Sequence, residues 1–230
     1  MPVEGDPVSN RRTIPDPERL SVEGDLWVLH KPAGMPVHPV HGQTEPDLMA
    51  WCVAHLGAPA GLSPCHRLDK PTSGIVLASP NPEVRRTVGE QFAAQSVAKT
   101  YEALVYGRVA KDRRIDRPLV DQRRKKSLDA VTKLVVVDRF RRLTRLEVHP
   151  ETGRKHQIRR HLRAIKHPVV GDRRYGWPRP EAVPGFPGRL WLHAARLALA
   201  DGRTFEAALP AALTAHLEVL RGRESGRAED

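Results

Sequence analysis

Short strand-like and helix-like segments alternate along this chain without the regular spacing of strand–helix–strand repeats. Residues 26–29 and 75–78 are compact apolar runs, which are typical of buried strands. Residues 101–105 and 143–148 alternate between apolar and polar side chains, which also predicts strands. Residues 81–95 predict a helix with Asn81 as its cap and Pro82 in its first turn. We therefore predict an α+β fold rather than a doubly wound parallel sheet.

The length of 230 residues suits one compact domain with a substantial core. The proline-rich residues 1–20 and the polar residues 221–230 predict flexible tails around a domain of residues 21–220. No run approaches eighteen apolar residues, and the first ten residues lack the pattern of a signal peptide. We therefore expect a cytoplasmic protein without membrane association. Cys52 and Cys65 form no CxxC pair, which argues against a disulfide scaffold or a zinc knuckle.

The balance of charges points to a polyanionic partner. The chain has 38 Lys and Arg against 27 Asp and Glu, a formal net charge of +11. Such a surface attracts polyanions through counterion release, and nucleic acid is the most common cytoplasmic polyanion. Basic proteins are also often simply soluble, so the charge alone leaves nucleic-acid binding open.

Asp69 lies between two cations, Arg67 and Lys70, directly before the apolar run of residues 75–78. Nearby cations favour the ionised form of a carboxylate. An aspartate that stays anionic at neutral pH can serve as a nucleophile or a base. The alternative is a turn aspartate that accepts hydrogen bonds from backbone amides, as Thr72 and Ser73 also can. The pattern by itself leaves both interpretations open.

Residues 152–163 form a second dense segment and predict a helix that begins near Lys155, with one apolar face. Cations line the flank beside that face. They are Lys155, Arg159, Arg163 and Lys166. Such a flank can approach a phosphate backbone or a carboxylate, and arginine offers a bidentate fork for either. A solvated surface helix would explain the same pattern.

Sequence patterns for other chemistries are weak. The chain has no GxSxG elbow, no GxxxxGK[ST] loop and no GxGxxG fingerprint. A hydrolase that uses Ser73 or a histidine therefore has no motif in its support. His156 and His161 lie five residues apart and miss the i, i+4 spacing of a helical zinc pair, so we expect no metal site. The basic residues 123–126 predict an exposed loop, either solvated or in contact with phosphates.

Five blocks of the chain resemble, in the same order, the motifs of the RluA family of RNA pseudouridine synthases. The blocks are residues 25–38, 66–74, 99–107, 153–172 and 190–194. The most specific are HRLD followed by Thr72-Ser73-Gly74, and GRKHQIRRH at residues 153–161. The resemblance implies a mixed, mostly antiparallel sheet with flanking helices and a central cleft. It also implies an isomerase that converts uridine to pseudouridine in structured RNA, without a cofactor or a metal.

The resemblance further implies roles for individual residues. Asp69 would be the catalytic aspartate, Arg159 would pair with it, and Tyr101 would pack on the target uracil. Arg67 would occupy the gap that the extruded nucleotide leaves. The cations of the turn around Asp69 and of the helix flank would make further contacts with RNA. The expected RNA-binding residues are Arg67, Lys70, Lys155, Arg163 and Lys166.

Several alternatives remain open. About 24 residues precede the first block, too few for the S4 RNA-binding domain of many family members. The chain therefore resembles the compact members, among them TruC-type tRNA enzymes, and compact members that act on rRNA exist too. We expect a monomer with RNA, either tRNA or rRNA, as its partner. Asp69 could attack the ribose, attack the ring or abstract a proton. An inactive RNA-binding protein of the same fold is the alternative function, although intact Asp69, Tyr101 and Arg159 favour an enzyme.

Overall fold

The computed structural model describes residues 14–39, 42, 46–121, 124–177 and 182–225. Within these residues the chain forms twelve strands and four helices. The strands are β1 (Glu18–Glu23), β2 (Leu26–Lys31), β3 (Ser63–Pro64), β4 (Ser73–Ser79), β5 (Ala98–Tyr106), β6 (Arg113–Asp116), β7 (Leu119–Asp121), β8 (Lys126–Leu128), β9 (Val131–Phe140), β10 (Leu143–Pro150), β11 (Leu192–Ala198) and β12 (Thr204–Glu206). The helices are α1 (Leu48–His55), α2 (Pro82–Ala93), α3 (Gln157–Ala164) and α4 (Ala211–Ser225). None of the described helices is long and apolar enough to cross a bilayer.

Ten strands form one large sheet, in the order β1-β2-β4-β11-β5-β10-β9-β6, with β12 beside β11 and β3 beside β4. The pair β4–β11 is parallel, and the other pairs in this sheet are antiparallel. Strands β7 and β8 form a separate hairpin. Helix α2 begins as predicted, with the Asn81 side chain accepting a hydrogen bond from the Glu83 amide. The predicted α+β class with a mixed, mostly antiparallel sheet is confirmed.

Buried apolar side chains attach two important segments to the sheet. Leu68 belongs to the cluster of β2 and α1, so the turn that carries Asp69 is anchored in the core. Ile158 and Leu162 belong to the cluster of β5 and β10, which anchors α3. Because both anchors are buried in the core, the packing constrains the relative positions of the neighbouring Asp69 and Arg159.

Both predicted tail boundaries differ from the structure. Strand β1 begins at Glu18, inside the expected tail, because its backbone pairs with β2 although most of its side chains are exposed. Helix α4 extends to Ser225, beyond the expected end at residue 220. Its buried leucines, the last of them Leu220, hold the helix on the core, and the helical hydrogen bonds continue past that anchor. Residues 1–13 and 226–230 lie outside the described residues.

Gly74 lies where β4 pairs with the parallel strand β11. Its φ is +122°, and a Cβ atom there would lie 2.2 Å from the carbonyl oxygen and 2.6 Å from the nitrogen of Ala194. Ala194 is the residue that pairs with Gly74 in the ladder. Glycine is therefore required at the point where the Asp69 turn joins the sheet.

We expect Gly74→Ala to lower the free energy of unfolding by about 3 kcal/mol, because it combines backbone strain with overlap against β11. Urea denaturation measures this difference. Gly24→Ala is the matched control, since Gly24 has a φ of +58° but no atom within 4 Å of its Cβ position. Gly24→Ala should lower the free energy of unfolding by only about 1 kcal/mol. Equal losses in the two variants would contradict the steric explanation.

Candidate active site

A cleft of about 330 Å³ lies between the turn before β4 and the beginning of α3. Asp69, Tyr101 and Arg159, the three predicted catalytic residues, all line it. Arg67 lines it too and is exposed to solvent. The structure therefore brings together residues from three separate sequence blocks.

The Asp69 carboxylate contacts two nitrogen-bearing side chains. The Arg159 Nη1 donates a hydrogen bond to Oδ2 at 3.1 Å. The Nε2 of His156 lies 3.6 Å from Oδ1. A quarter of the Asp69 side chain, 25%, stays exposed. The carboxylate is thus oriented from one side and remains accessible from the cleft.

Arg159 bridges Asp69 and a second, fully buried carboxylate. Its Nε and Nη2 donate to the two oxygens of Asp172, both at 2.8 Å. Burial by itself would raise the pKa of Asp172. Hydrogen bonds from Arg159 and from the amides of Tyr175 and Arg174 hold that pKa below its usual range instead. Asp172 therefore fixes the guanidinium so that its third nitrogen faces Asp69.

The predicted basic flank of α3 is wrong. The helix begins at Gln157, later than expected, because His156 has a left-handed backbone conformation. Lys155 therefore precedes the helix, Lys166 follows it, and both are exposed. Arg159 faces the interior, and the Arg163 guanidinium lies 4.2 Å from the centre of the Trp177 ring. Only two of the four cations therefore belong to the helix, and one of these, Arg159, is buried and not part of a solvent-exposed flank.

The cleft therefore contains only part of the predicted RNA-binding set. Arg67 lines it, and its Nη1 lies 3.4 Å from Nε2 of His38. The remaining predicted residues lie outside the cleft lining. They are Lys70, Lys155, Arg163 and Lys166. In the basic run of residues 123–126, position 123 lies outside the described residues, and the other three residues are exposed.

Tyr101 presents an uncharged aromatic ring to the cleft. Burial raises its pKa above the ordinary range of a phenol, and the negative charge of Asp69 adds to this effect. The ring also packs against two of the core clusters, which limits its motion. A neutral ring held in this way suits stacking on a nucleobase.

Lys31 supports the Asp69 turn from inside the protein. Its side chain is fully buried, and Nζ donates to the carbonyl oxygens of Pro32 and Met35 at 2.8 Å and of Lys70 at 3.1 Å. Burial lowers the pKa of Lys31 to about 7, with the negative charge of Asp69 acting in the opposite direction. Sequence reasoning missed this residue, because a lysine at the end of a strand gives no local signal of burial.

Three residues join the site without having been predicted there, namely His156, Asp172 and Tyr175. The Nδ1 of His156 lies 2.9 Å from the Tyr175 hydroxyl oxygen. The Arg159 guanidinium lies 5.1 Å from the centre of the Tyr175 ring. Asp172 ends the fourth sequence block, but nothing in the sequence shows that it faces Arg159. His156 lies in the same block, and its spacing from His161 bears only on a zinc site, which it disfavours.

The environment of Ser73 does not suit a hydrolytic nucleophile. Its Oγ lies 2.9 Å from Nδ1 of His193, but both side chains are fully buried. Ser73 Oγ also accepts a hydrogen bond from Arg189 Nη2 at 2.6 Å, and His193 Nε2 lies 3.1 Å from the carbonyl oxygen of Ala207. The pair thus has structural partners on both sides and no contact with the cleft.

Comparisons with known proteins agree on one family. The family model described as RNA pseudouridylate synthase matches residues 25–164. An uncharacterized RNA pseudouridine synthase, YlyB of Bacillus subtilis, is 33% identical over 91% of this chain and 78% of its own length. The tRNA pseudouridine synthase C of Salmonella typhimurium is 33% identical over 76% of this chain and 77% of its own length.

Two further relatives extend the comparison. The ribosomal large subunit pseudouridine synthase D of Neisseria meningitidis serogroup A is 33% identical over 92% of this chain, and the match spans 64% of that relative. Among solved structures, human RNA pseudouridylate synthase domain containing 4 superposes with a TM-score of 0.73 at 27% identity. That superposition covers 88% of this chain and 92% of the human chain.

Proposed function

The chain belongs to the RNA pseudouridylate synthase family and is an isomerase, and on this premise we propose that it modifies uridine in structured tRNA or ribosomal RNA with Asp69 as its catalytic residue. One observation carries the proposal. An accessible carboxylate, Asp69, lies in a cleft beside the neutral ring of Tyr101 and is held by the guanidinium of Arg159. Relatives named for tRNA and for the large ribosomal subunit are similarly close, which supports both classes of substrate.

The proposed reaction is a rearrangement within one nucleotide. The bond between ribose C1′ and uracil N1 breaks, and a bond between C1′ and C5 forms. One proton leaves C5 and one proton is gained at N1, so atoms and electrons balance without an oxidant or reductant. The site therefore needs an anionic group near the ribose and the ring, which Asp69 supplies whether it attacks C1′, attacks the ring or abstracts a proton.

The other cleft residues suit binding of an extruded uridine. Taking a base out of a helix costs a few kcal/mol. Stacking on an aromatic ring such as Tyr101 returns about 1–3 kcal/mol. Arg67, exposed at the cleft, would fill the gap that the uridine leaves in the stack. Cations outside the cleft would contact phosphates, which agrees with the net charge of +11. They are Lys70, Lys155, Arg163 and Lys166.

The direct test uses RNA transcripts with tritium at C5 of uridine. We expect the purified protein to release tritium from a tRNA or a large-subunit rRNA transcript, because C5 loses its hydrogen when it bonds to C1′. Sequencing of the product should then locate pseudouridine at defined positions. Binding of the RNA without tritium release would favour the inactive RNA-binding alternative. Cleavage of the strand would contradict the proposal outright.

A further inference from the structure

His156 has a backbone conformation that residues other than glycine rarely adopt. Its φ is 54°, in the left-handed region, and its side chain makes no capping hydrogen bond to α3. Among the described residues, three other non-glycine residues have positive φ, and all three are exposed. They are Gln95, Lys125 and Lys166. The His156 side chain, in contrast, is only 13% exposed and lines the cleft. Glycine would adopt this conformation without strain, so a histidine at this position indicates that its side chain has a role.

The contacts of His156 determine which ring nitrogen carries the proton. The Nδ1 lies 2.9 Å from the Tyr175 hydroxyl oxygen, and Nε2 lies 3.6 Å from Asp69 Oδ1. A proton on Nδ1 would leave the lone pair of Nε2 facing an anionic carboxylate, which is repulsive. The favourable arrangement has the Tyr175 hydroxyl donating to Nδ1, so that Nε2 carries a proton directed toward Asp69.

The charged groups around His156 favour the neutral ring. Burial lowers the pKa of His156, and Arg159, Arg174 and Lys155 lower it further, whereas Asp69 acts in the opposite direction. The imidazole is therefore neutral at neutral pH, with a single ring proton to position. Tyr175 fixes where that proton resides, since its hydroxyl contacts the other nitrogen.

Tyr175 is connected to both partners of Asp69. Besides its hydroxyl contact with His156, its ring lies beneath the guanidinium of Arg159, at 5.1 Å. Its amide also donates to Asp172 Oδ1 at 2.9 Å, and Asp172 in turn holds Arg159. One residue thus orients a donor toward each of the two oxygens of the Asp69 carboxylate.

We propose that His156 and Tyr175 are positioning residues for the isomerisation. The Tyr175 hydroxyl fixes the ring tautomer, so that the His156 Nε2–H dipole faces Asp69 Oδ1 across 3.6 Å, while Arg159 donates a hydrogen bond to Oδ2. The carboxylate then points in one direction while the uridine reacts. This inference rests on the proposed function of Asp69.

The test compares His156→Gly, His156→Gln and Tyr175→Phe with the wild type. Glycine removes the side chain and relaxes the backbone, whereas glutamine places an N–H donor near the position of Nε2. We expect kcat to fall about tenfold in His156→Gly, less in His156→Gln and about threefold in Tyr175→Phe, because the favourable contact between an N–H dipole and the Asp69 carboxylate is weakened or lost. KM should change less than twofold. The exposed His55, in α1 outside the cleft, provides the control variant His55→Ala.

Two further measurements separate positioning from a structural role. The midpoint of thermal unfolding of His156→Gly should stay within about two degrees of the wild type, since relief of strain offsets the added chain entropy. The kcat of His156→Gln should exceed that of His156→Gly at a similar unfolding midpoint, because only glutamine restores an N–H donor near Asp69.

The possible outcomes distinguish this inference from the proposed function. Wild-type protein that releases no tritium from any transcript would overturn the proposed function itself. Active wild type with unchanged kcat in His156→Gly would overturn only the positioning role. A loss of activity that is accompanied by a large drop in the unfolding midpoint would assign His156 a structural role and would also contradict the inference.

Discussion

Asp69→Asn is expected to reduce pseudouridine formation by at least about 10³-fold while the protein stays folded. The amide has the size of the carboxylate but can act neither as an anionic nucleophile nor as a base. The change should cost only about 1 kcal/mol of stability, because the Asp69 side chain is partly exposed and Arg159 keeps its two hydrogen bonds to Asp172. A catalytic loss without unfolding is therefore the expected signature.

Single-turnover release of tritium, with enzyme in excess over RNA, measures this prediction without a contribution from product release. Filter binding should show RNA affinity within a few-fold of the wild type, since Asp69 contributes no positive charge. Asp201→Asn is the matched control, because Asp201 is an exposed turn aspartate whose side chain contacts Arg203. Turnover of Asp69→Asn within tenfold of the wild type would refute the assignment of the catalytic residue.

Arg159→Met is expected to remove activity and stability together. The variant leaves the Asp172 carboxylate buried, with 0% of its side chain exposed, and without its cation. Breaking such a pair costs about 3–5 kcal/mol, and we expect the lower value because two backbone amides still donate to Asp172. At roughly 2–4 °C per kcal/mol for a chain of this size, the unfolding midpoint should fall by about 10 °C. Asp69 also loses its donor at Oδ2.

A second substitution separates the two effects of Arg159→Met. Both backbone amides donate to Oδ1 of Asp172, which asparagine retains. The double variant Arg159→Met/Asp172→Asn should therefore recover part of the lost stability but none of the activity. The neighbouring Arg160 donates to the Val120 carbonyl at 3.1 Å, and Arg160→Met, the control, should cost less than about 1 kcal/mol. Activity in the double variant close to wild type would contradict a role for Arg159 in orienting Asp69.

The ion pair between Arg159 and Asp172 predicts that stability depends on pH in opposite directions in the wild type and in Arg159→Met. In the wild type the pKa of Asp172 is held low, so its contribution to stability is complete above about pH 4 and is lost as the pH falls through the folded-state pKa. In Arg159→Met, burial without a cation raises that pKa, so the folded state binds the proton more tightly than the unfolded state does. The stability of the variant should then decline as the pH rises from about 4 to 7.

Much of the fold follows from local patterns. The strands β2, β4, β5 and β10 and the capped helix α2 lie where apolar periodicity and capping residues predict them. These features depend on interactions within a few residues. The boundaries of α3 and α4 were less predictable, because a left-handed residue delays the first and packing on the core extends the second.

The residues of the candidate site were also only partly predictable from the sequence. Contiguous motifs point to Asp69, Tyr101 and Arg159, and the structure places all three in one cleft. The prediction that Arg159 lies on an exposed flank of α3 is wrong, because its side chain points inward to Asp172. A helical wheel shows the spacing of side chains but not which neighbouring element contains a buried carboxylate.

By itself, therefore, the sequence determined the α+β class and the main elements, which short, contiguous segments encode, and its resemblance to a known family indicated the three residues expected to act on uridine. Only the tertiary structure decided that Lys31 lies buried beneath the Asp69 turn and that His156 lies beside the Asp69 carboxylate and contacts Tyr175. The reason is physical. The contact between Arg159 and Asp69 joins residues 90 positions apart, and such contacts, with the burial that accompanies them, arise only when the whole core packs.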